Sequence, residues 1–205
     1  MSRRAYVQRL RAEGAEENRR RILDALYERV REAPAQPITV DEVARLARVA
    51  RSTIYLVFGS RSGLFDALAD RLLSGEGYEQ ILEAVRQPDP RATLRGGLAG
   101  GVRMYASHRD VFRVLYAMAR LDPDGAGHAM AESERRRARG MADLARRLDD
   151  GKLLRSGLTA ERAAHMIWIF ASFDAYDLLA TGRGLPEQQI VDLLVDTAEH
   201  ALLSL

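Results

Sequence analysis

Four neighbouring polar residues of the chain carry side chains whose chemistry suits the recognition of double-stranded DNA. A guanidinium, two hydroxyls and a phenol stand close together at Arg51, Ser52, Thr53 and Tyr55. Arginine bonds base edges and phosphates, and hydroxyl groups bond either of them. Ile54, Val57 and Phe58 recur at a helical spacing and define a buried side. We therefore expect the polar group at the exposed N-terminal end of a short helix, where a recognition helix meets base edges and phosphates.

A second short helix precedes this group and is separated from it by a break of three residues. Thr39 followed by Glu42 is a capping-box pattern, which predicts a helix that begins at Val40. The apolar residues of this helix share one face and are Val43, Ala44 and Ala47. Val49 lies in the middle of the break, as expected of a residue that packs between two helices crossing near a right angle. The pattern predicts a helix-turn-helix unit.

The segment Val40–Leu64 resembles the DNA-binding segment of the TetR (tetracycline-repressor-like) family of transcriptional regulators. The matching positions are Thr39, Val43, Ala44, Val49, Thr53, Ile54, Tyr55, Phe58, Ser60 and Leu64. The resemblance implies an N-terminal three-helix DNA-binding domain, a larger helical domain for ligand binding and dimerisation, and a homodimer on a two-fold-symmetric operator. It also implies repression that a small molecule relieves. We expect DNA contacts from Thr39, Arg48, Arg51, Ser52, Thr53, Tyr55 and Arg61, and the family places phosphate contacts at Tyr55 and Arg61.

Two positions depart from the family pattern. Arg48 stands where the family usually has glycine, and Ala50 stands where it usually has serine. A left-handed backbone at Arg48 would cost about 1 kcal/mol. The absence of a side-chain N-cap at Ala50 would cost roughly 1 kcal/mol. We therefore expect unusual local geometry in the turn.

Composition excludes several classes of protein. The chain has no cysteine, which excludes disulfide frameworks, cysteine metal sites and cysteine nucleophiles. Its first residues lack the apolar core of a signal peptide. The longest strongly apolar run, Met166–Ala171, is too short to cross a bilayer. We expect a soluble cytoplasmic protein with no membrane partner and no cofactor.

The positive charge is concentrated in the part of the chain that contains the helix-turn-helix pattern. Residues 1–60 hold 12 Arg and 8 acidic residues, a balance of +4. Residues 61–205 hold 19 Lys and Arg and 21 acidic residues, a balance of −2. Neutralisation of DNA phosphates needs such an excess of cations. Residues 1–15 are Arg-rich with little apolar periodicity, so we expect a flexible basic arm there, and its contact with DNA is left open.

Helical periodicity continues after the predicted DNA-binding domain of residues 16–60, and strand-like alternation is absent, so we predict an all-α protein. The predicted helices run over residues 61–73, 78–85, 90–106, 107–120, 127–148 and 159–181, with a last helix from Pro186. Gly96, Gly97, Gly100 and Gly101 fit a thin helix face for close packing, because no Gly-Lys-Ser/Thr sequence follows them. We assign residues 61–205 to a ligand-binding and dimerisation domain.

Aromatic and methionine residues of this second domain are candidates for the lining of a ligand pocket. They are Met104, His108, Phe112, Tyr116, Met118, Trp168 and Phe173, although aromatic and methionine residues at helical spacing more often belong to the core. An unidentified, largely apolar small-molecule effector would fit them. Apolar stripes predict a dimer interface formed by Trp168, Ile190, Leu194, Ala198, Ala201 and Leu202.

Two other functions compete with a DNA-binding regulator. His128 with Glu132, and Glu161 with His165, each have a spacing that metal sites use. Neither pair belongs to a fuller ligand set, and the sequence shows no nucleophile with a base, so we expect no enzymatic activity. The alternative is a helical module that binds a small molecule or a protein but not DNA. That alternative leaves the exposed polar group and the charge asymmetry unexplained.

Overall fold

The computed structural model of the chain describes the backbone of residues 3–32 and 36–204 and the side chains of residues 13–32 and 36–204. Helices dominate this part of the chain. They are α1 (Arg3–Glu32), α2 (Val40–Ala47), α3 (Arg51–Phe58), α4 (Arg61–Leu72), α5 (Glu76–Val85), α6 (Pro90–Ser107), α7 (Arg109–Ala119), α8 (His128–Asp150), α9 (Ala160–Phe170), α10 (Phe173–Asp177) and α11 (Glu187–Leu202). Two π-helical turns cover Pro123–Gly127 and Leu178–Gly182. The predicted all-α fold is confirmed.

The helices form two compact units. The first unit contains the residues up to Arg71 together with Arg113–Met130, and the second contains Leu72–Phe112 and the residues from Ala131 onward. The first unit therefore takes in a segment that sequence reasoning assigned to the second domain. That segment carries the end of α7 and the first π-helical turn.

A small apolar core holds the first unit together. Its fully buried members come from four helices and are Ile22, Leu26, Val43, Ile54, Leu64 and Leu68. Helices α1, α2 and α3 pack against one another pairwise. Each short helix is too short to be stable alone, so this packing supplies most of its stability.

Residues 3–15 correct one expectation, because they form the first turns of α1 instead of a flexible arm. The segment is rich in Arg, Ala and Glu, which are good helix formers, and it contains a single glycine, Gly14. An amphipathic stripe is not needed for a helix that extends an already nucleated one. Met1 and Ser2 lie outside the described residues.

Glycines set the distance between α5 and α6 in the second unit. A Cβ added to Gly100 would lie 2.6 Å from the carbonyl oxygen of Gly77, and one added to Gly96 would lie 2.7 Å from Cβ of Ala84. A Cβ on Gly77 would overlap the backbone nitrogen of Met104. The close packing predicted for these glycines is therefore confirmed for Gly96 and Gly100. Gly97 and Gly101 have open space instead.

The single helix predicted from Thr159 to Thr181 is wrong, because the chain breaks it near its middle. Thr159 caps α9 as expected, accepting a hydrogen bond from the backbone N–H of Arg162. Helix α9 ends at Phe170, and Ser172 then adopts an extended backbone with ψ of 153°. The Ser172 hydroxyl accepts a hydrogen bond from the N–H of Ala175 and so starts α10 as an N-cap.

A larger apolar core is shared by α6, α8, α9 and α11. Its most buried members are Leu94, Leu148, Ala163, Ile167, Ala198 and Leu202. Among the described helices, none has the length and apolar character that crossing a membrane requires.

Candidate nucleic-acid interface

Helix α1 fixes the start of α2. The Arg29 guanidinium is only 6% exposed. Its Nε donates to Oε1 of Glu42 at 2.6 Å, and its Nη2 donates to the carbonyl oxygen of Pro37 at 3.4 Å. Thr39 is the N-cap of α2, and its Oγ1 accepts from the N–H of Glu42 at 3.2 Å, so the predicted capping interaction is confirmed. The first turn of α2 is thereby stabilised both by the Thr39 cap and by Arg29 of α1.

The turn between α2 and α3 contains the strained residue that the sequence indicated. Arg48 has φ of 54° and ψ of 47°, a left-handed conformation that glycine adopts more easily. Arg21 of α1 stabilises this turn, because its Nη2 donates to the carbonyl oxygens of Ala47 and Arg48 at 2.6 and 3.0 Å. The Arg48 side chain itself is exposed. Sequence reasoning missed Arg21, whose partners lie more than 25 residues away.

Helix α3 begins at Arg51, as predicted, and exposes one face. Ala50 occupies the N-cap position and provides no side-chain hydrogen bond. Ile54 is fully buried, whereas the side chains of Arg51, Ser52, Tyr55 and Leu56 are exposed. A helix whose first backbone N–H groups lack a side-chain cap offers those groups to an anion such as a DNA phosphate.

The Arg51 guanidinium is held over this face by two partners. Its Nη1 donates to both carboxylate oxygens of Asp41, at 3.2 and 2.9 Å, and its Nη2 donates to the hydroxyl of Tyr55 at 3.3 Å. It also lies 5.6 Å from the centre of the Tyr55 ring. The hydrogen bond with Tyr55 and the charge of Asp41 raise the pKa of Arg51 above its ordinary value. All three side chains are exposed, so the arrangement orients the guanidinium without burying it.

Arg61 is the first residue of α4, and its guanidinium forms an ion pair with another residue of the first unit. Its Nη1 and Nη2 donate to the two carboxylate oxygens of Asp122 at 2.7 and 2.6 Å. Ser60 precedes it, and the Ser60 hydroxyl accepts from the N–H of Gly63 at 2.9 Å, which confirms the predicted start of α4. The hydrogen bonds with Asp122 raise the pKa of Arg61.

The predicted DNA-contacting residues divide into two groups in the structure. Arg48, Arg51, Ser52 and Tyr55 are exposed on α3 or on the turn before it. Thr39 is occupied as a cap, Thr53 is half-buried with its N–H bonded to Ala50, and Arg61 is paired with Asp122. Whether each of them touches DNA remains a prediction. Leu56, which sequence reasoning overlooked, is 86% exposed. Its spacing of four residues from Ser52 places it on the same helix face.

Comparison with known proteins identifies this arrangement. Residues 22–68 match the model of the bacterial regulatory proteins of the tetR family. This segment belongs to the tetR family of bacterial regulatory proteins. No match was found among curated protein sequences.

Solved structures of similar fold extend the likeness over most of the chain. The structure of NalD, described as the secondary repressor of the MexAB-OprM multidrug efflux pump in Pseudomonas aeruginosa, has a TM-score of 0.73 and 19% identity, and the match covers 92% of this chain and 98% of NalD. A TetR transcription regulator from Haloarcula marismortui has a TM-score of 0.66 and 15% identity over 92% of this chain and 100% of its own. The ketosteroid transcriptional regulator KstR2 of Mycobacterium tuberculosis has a TM-score of 0.64 and 15% identity over 91% of this chain and 95% of its own. At these identities the likeness shows the fold.

The second unit of the chain contains a buried aromatic cluster, formed by Tyr105, Phe112, Phe173 and Tyr176. The ring centre of Tyr105 lies 5.1 Å from that of Phe112, 5.4 Å from that of Phe173 and 6.0 Å from that of Tyr176. Each of the four residues is at most 5% exposed. Tyr105 also donates from its hydroxyl to the carbonyl oxygen of Ala171 at 3.4 Å, where α9 ends. Sequence reasoning found Phe112 and Phe173 but missed both tyrosines, although their helical spacing was visible.

The other predicted pocket residues belong to different parts of the described structure. Met104 is buried on α6 with its backbone against Gly77, and His108 is the C-cap of the same helix. Tyr116 and Met118 belong to the first unit. Trp168 is 41% exposed and lies on a surface groove with Ala164 and Ala138, so it does not line an interior pocket with Phe173. The Arg137 guanidinium stacks on its ring at 4.7 Å and donates to its carbonyl oxygen at 2.7 Å.

The predicted dimer interface needs a similar correction. Ile190, Leu194, Ala198 and Leu202 are at most 6% exposed within the single chain, because α11 packs against α6 and α9. Their side chains therefore belong to the core of the protomer. Ala201 is half-buried, and Trp168 is exposed. The exposed apolar residues of this region are Trp168, Ile169, Leu178 and Leu193.

No group of three or more histidine, aspartate or glutamate side chains suited to a metal ion occurs among the residues that the structure describes. Neither His128 with Glu132 nor Glu161 with His165 is part of such a group in that part of the chain.

Proposed function

We propose that the chain is a sequence-specific transcriptional regulator that represses genes from a palindromic operator and is released by a small-molecule ligand. The exposed face of α3, with Arg51, Ser52, Tyr55 and Leu56, is the observation that carries the proposal. It presents a guanidinium, hydroxyls and a methyl-bearing side chain on a helix whose opposite side is anchored by Ile54. These are the groups that read base edges in the major groove. A regulator of this kind would act in the cytoplasm, where bacterial DNA lies.

Selection of binding sites from a pool of random duplex DNA tests the proposal. We expect recovery of a consensus with two inverted half-sites about one helical turn apart, roughly 34–36 Å, or a multiple of it. Affinity for this consensus should fall steeply as salt concentration rises, because bound counterions are released from the phosphates. A pool that yields no symmetric consensus would contradict the proposal.

The inverted half-sites require two copies of the chain. The exposed apolar residues Trp168 and Ile169 of α9 and Leu193 of α11 support a homodimer in which a second copy covers this surface. Their replacement by glutamate should shift the protein toward the monomer in sedimentation velocity experiments, because each charge would have to be buried. Leu56→Glu is the matched control, since Leu56 is more exposed than any of them but lies on α3. A control that also dissociated the dimer would contradict this assignment.

The aromatic cluster of the second unit supports a largely apolar effector. One of the similar structures is described as a repressor of a multidrug efflux pump, and another is described as a ketosteroid transcriptional regulator. Tyr105, Phe112, Phe173 and Tyr176 would contact such a ligand with apolar rings and two hydroxyls, after the closely packed rings separate. Mass spectrometry of small molecules that copurify with the protein would identify it. The compound should then weaken binding to the selected duplex in the wild type but not in Phe173→Ala.

A further inference from the structure

The Arg61 guanidinium joins three separate segments of the first unit. Its two terminal nitrogens form a fork with the Asp122 carboxylate, at 2.7 and 2.6 Å. Nη2 also donates to the carbonyl oxygen of Ile38 at 3.1 Å, one residue before the Thr39 cap of α2. The guanidinium carbon lies 5.1 Å from the centre of the Phe65 ring. The guanidinium group therefore connects the beginning of α4, the beginning of α2 and the segment after α7.

Asp122 is itself enclosed by the π-helical turn that follows it. Its backbone carbonyl oxygen accepts hydrogen bonds from the N–H groups of Gly125 and Gly127 at 3.3 and 2.9 Å. The hydrogen bonds with Arg61, together with the charge of its guanidinium, keep the pKa of Asp122 below its ordinary value. A Cβ on Gly125 would overlap the Arg61 guanidinium and would lie 2.5 Å from Oδ2 of Asp122, so only glycine leaves room for the fork. Asp122 and Gly125 thus leave a site that one guanidinium fills.

The orientation of the Arg61 guanidinium differs from the one that a contact with a DNA phosphate needs. A guanidinium that binds DNA must turn its donors toward the phosphate, and the fork of Arg61 is directed at a carboxylate instead. The Arg61 and Asp122 side chains are only 33% and 22% exposed. Release of Arg61 would leave the Asp122 carboxylate and its turn without their partner, which is costly in a partly buried site.

We propose that Arg61 is a positioning residue instead of a phosphate ligand, and that Asp122 supports DNA binding by holding Arg61 across the starts of α2 and α4. The inference rests on the proposed DNA-binding function and deepens it. It assigns a role in DNA binding to an acidic side chain that stands 61 residues from its partner in the chain. Direct electrostatics predicts the opposite effect of that side chain, since an acidic group repels phosphates.

A double-mutant cycle separates the two roles. Affinity for the consensus duplex selected by the wild-type protein is measured for wild type, Arg61→Ala, Asp122→Asn and the double variant over a range of salt concentrations. If Arg61 acts through Asp122, each single variant should bind about ten-fold more weakly, and the double variant should bind no more weakly than either, as for residues in one hydrogen-bond network. The salt dependence should stay as in the wild type, because no phosphate contact is lost.

Asp143→Asn is the matched control for charge. Asp143 has a local ion pair with Arg146 on α8, and both side chains are exposed. This control should leave affinity unchanged. Gly125→Ala should reproduce the loss seen in Asp122→Asn without any change in charge, and thermal unfolding and circular dichroism of every variant will show whether its first unit is folded.

Three outcomes decide the question. Weaker binding of Asp122→Asn with an unchanged salt slope supports the positioning role. Equal or tighter binding of Asp122→Asn, or a loss of about one unit of salt slope in Arg61→Ala, would overturn it in favour of a phosphate contact. Failure of the wild-type protein to select any consensus would instead contradict the proposed function, before the variants are compared.

Discussion

Nη1 of Arg51 donates to both carboxylate oxygens of Asp41, at 3.2 and 2.9 Å, and thereby links the exposed start of α3 to the first turn of α2. Nη2 of the same guanidinium is bonded to Tyr55 one helical turn along α3. An arginine with two fixed partners has fewer orientations available than a free one. If Arg51 contacts a base edge, as predicted, this restriction reduces the entropy that is lost on binding.

Arg51→Ala is expected to weaken discrimination at one base pair of each half-site. A bidentate contact between arginine and guanine contributes about 1–3 kcal/mol of discrimination, so the preference at that position should fall by roughly ten-fold or more. Competition binding with duplexes that carry each of the four base pairs at that position measures the effect. A uniform loss across all four duplexes would instead identify Arg51 as a phosphate contact.

Asp41→Asn should separate orientation from charge. Removal of a negative charge beside the exposed face of α3 should raise affinity for random duplex DNA. The ratio of consensus to random affinity should fall, because Arg51 loses the partner that orients it. The same competition assay gives both quantities. An unchanged ratio would show that Asp41 has no orienting effect on Arg51.

Leu56→Ala should reduce the preference for thymine at one position of the half-site. Leu56 is 86% exposed on the same face of α3 as Ser52, and an apolar side chain there can contact the thymine methyl group. Because the residue is so exposed, its truncation should leave the free energy of unfolding within about 0.5 kcal/mol of the wild-type value. Binding to duplexes with thymine and with uracil at each position checks this, since uracil lacks the methyl group. Equal discrimination by wild type and variant would exclude the contact.

Because of the Arg61–Asp122 pair, the free energy of unfolding should depend on pH. The pKa of Asp122 is lowered in the folded protein by its hydrogen bond with Arg61. A lowered pKa adds stability that is complete above the unfolded value of about 4 and is lost as the pH falls through the folded value. The free energy of unfolding of the wild type should therefore exceed that of Asp122→Asn at neutral pH, and the difference should shrink below about pH 4. Denaturant titrations at stepped pH test this, with Asp143→Asn as the control.

Two glycine substitutions should have opposite effects on the second unit. Gly77→Ala should lower the free energy of unfolding by about 1–3 kcal/mol, because the added Cβ would overlap the backbone of Met104. Gly97→Ala should raise it by roughly 0.5–1 kcal/mol, because the site is open and alanine favours the helix. Chemical denaturation of both variants measures the two changes. Equal destabilisation would mean that the glycine spacing does not determine the packing of α5 and α6.

Local signals in the sequence predicted the local structure well. The caps at Thr39, Asp89 and Thr159 mark the starts of α2, α6 and α9, because each polar side chain satisfies a free N–H group in its own vicinity. The left-handed turn at Arg48 was also predictable, since glycine usually stands at this position in the family that the segment resembles. The break before α10 was missed because Ser172 stands in an apolar helical pattern without glycine or proline.

Relationships between distant residues could not be read from the sequence. The stripe of α11 that includes Leu194 and Leu202 indicated burial correctly, but periodicity does not distinguish a chain's own core from the surface of a partner. The partners of Arg61 likewise depend on the tertiary fold, which brings Asp122 beside α4. The first unit also includes Arg113–Met130, the segment that contains Asp122.

Arg48 occupies a backbone conformation that favours glycine. The conformation costs about 1 kcal/mol. The Arg48 side chain is exposed, so it could contact a DNA phosphate. Arg48→Gly would relieve the strain and remove one cation, and would yield a more heat-resistant protein with a weaker hold on DNA. If Arg48 contacts a phosphate, as predicted, thermal stability and operator affinity cannot both be maximised in this turn.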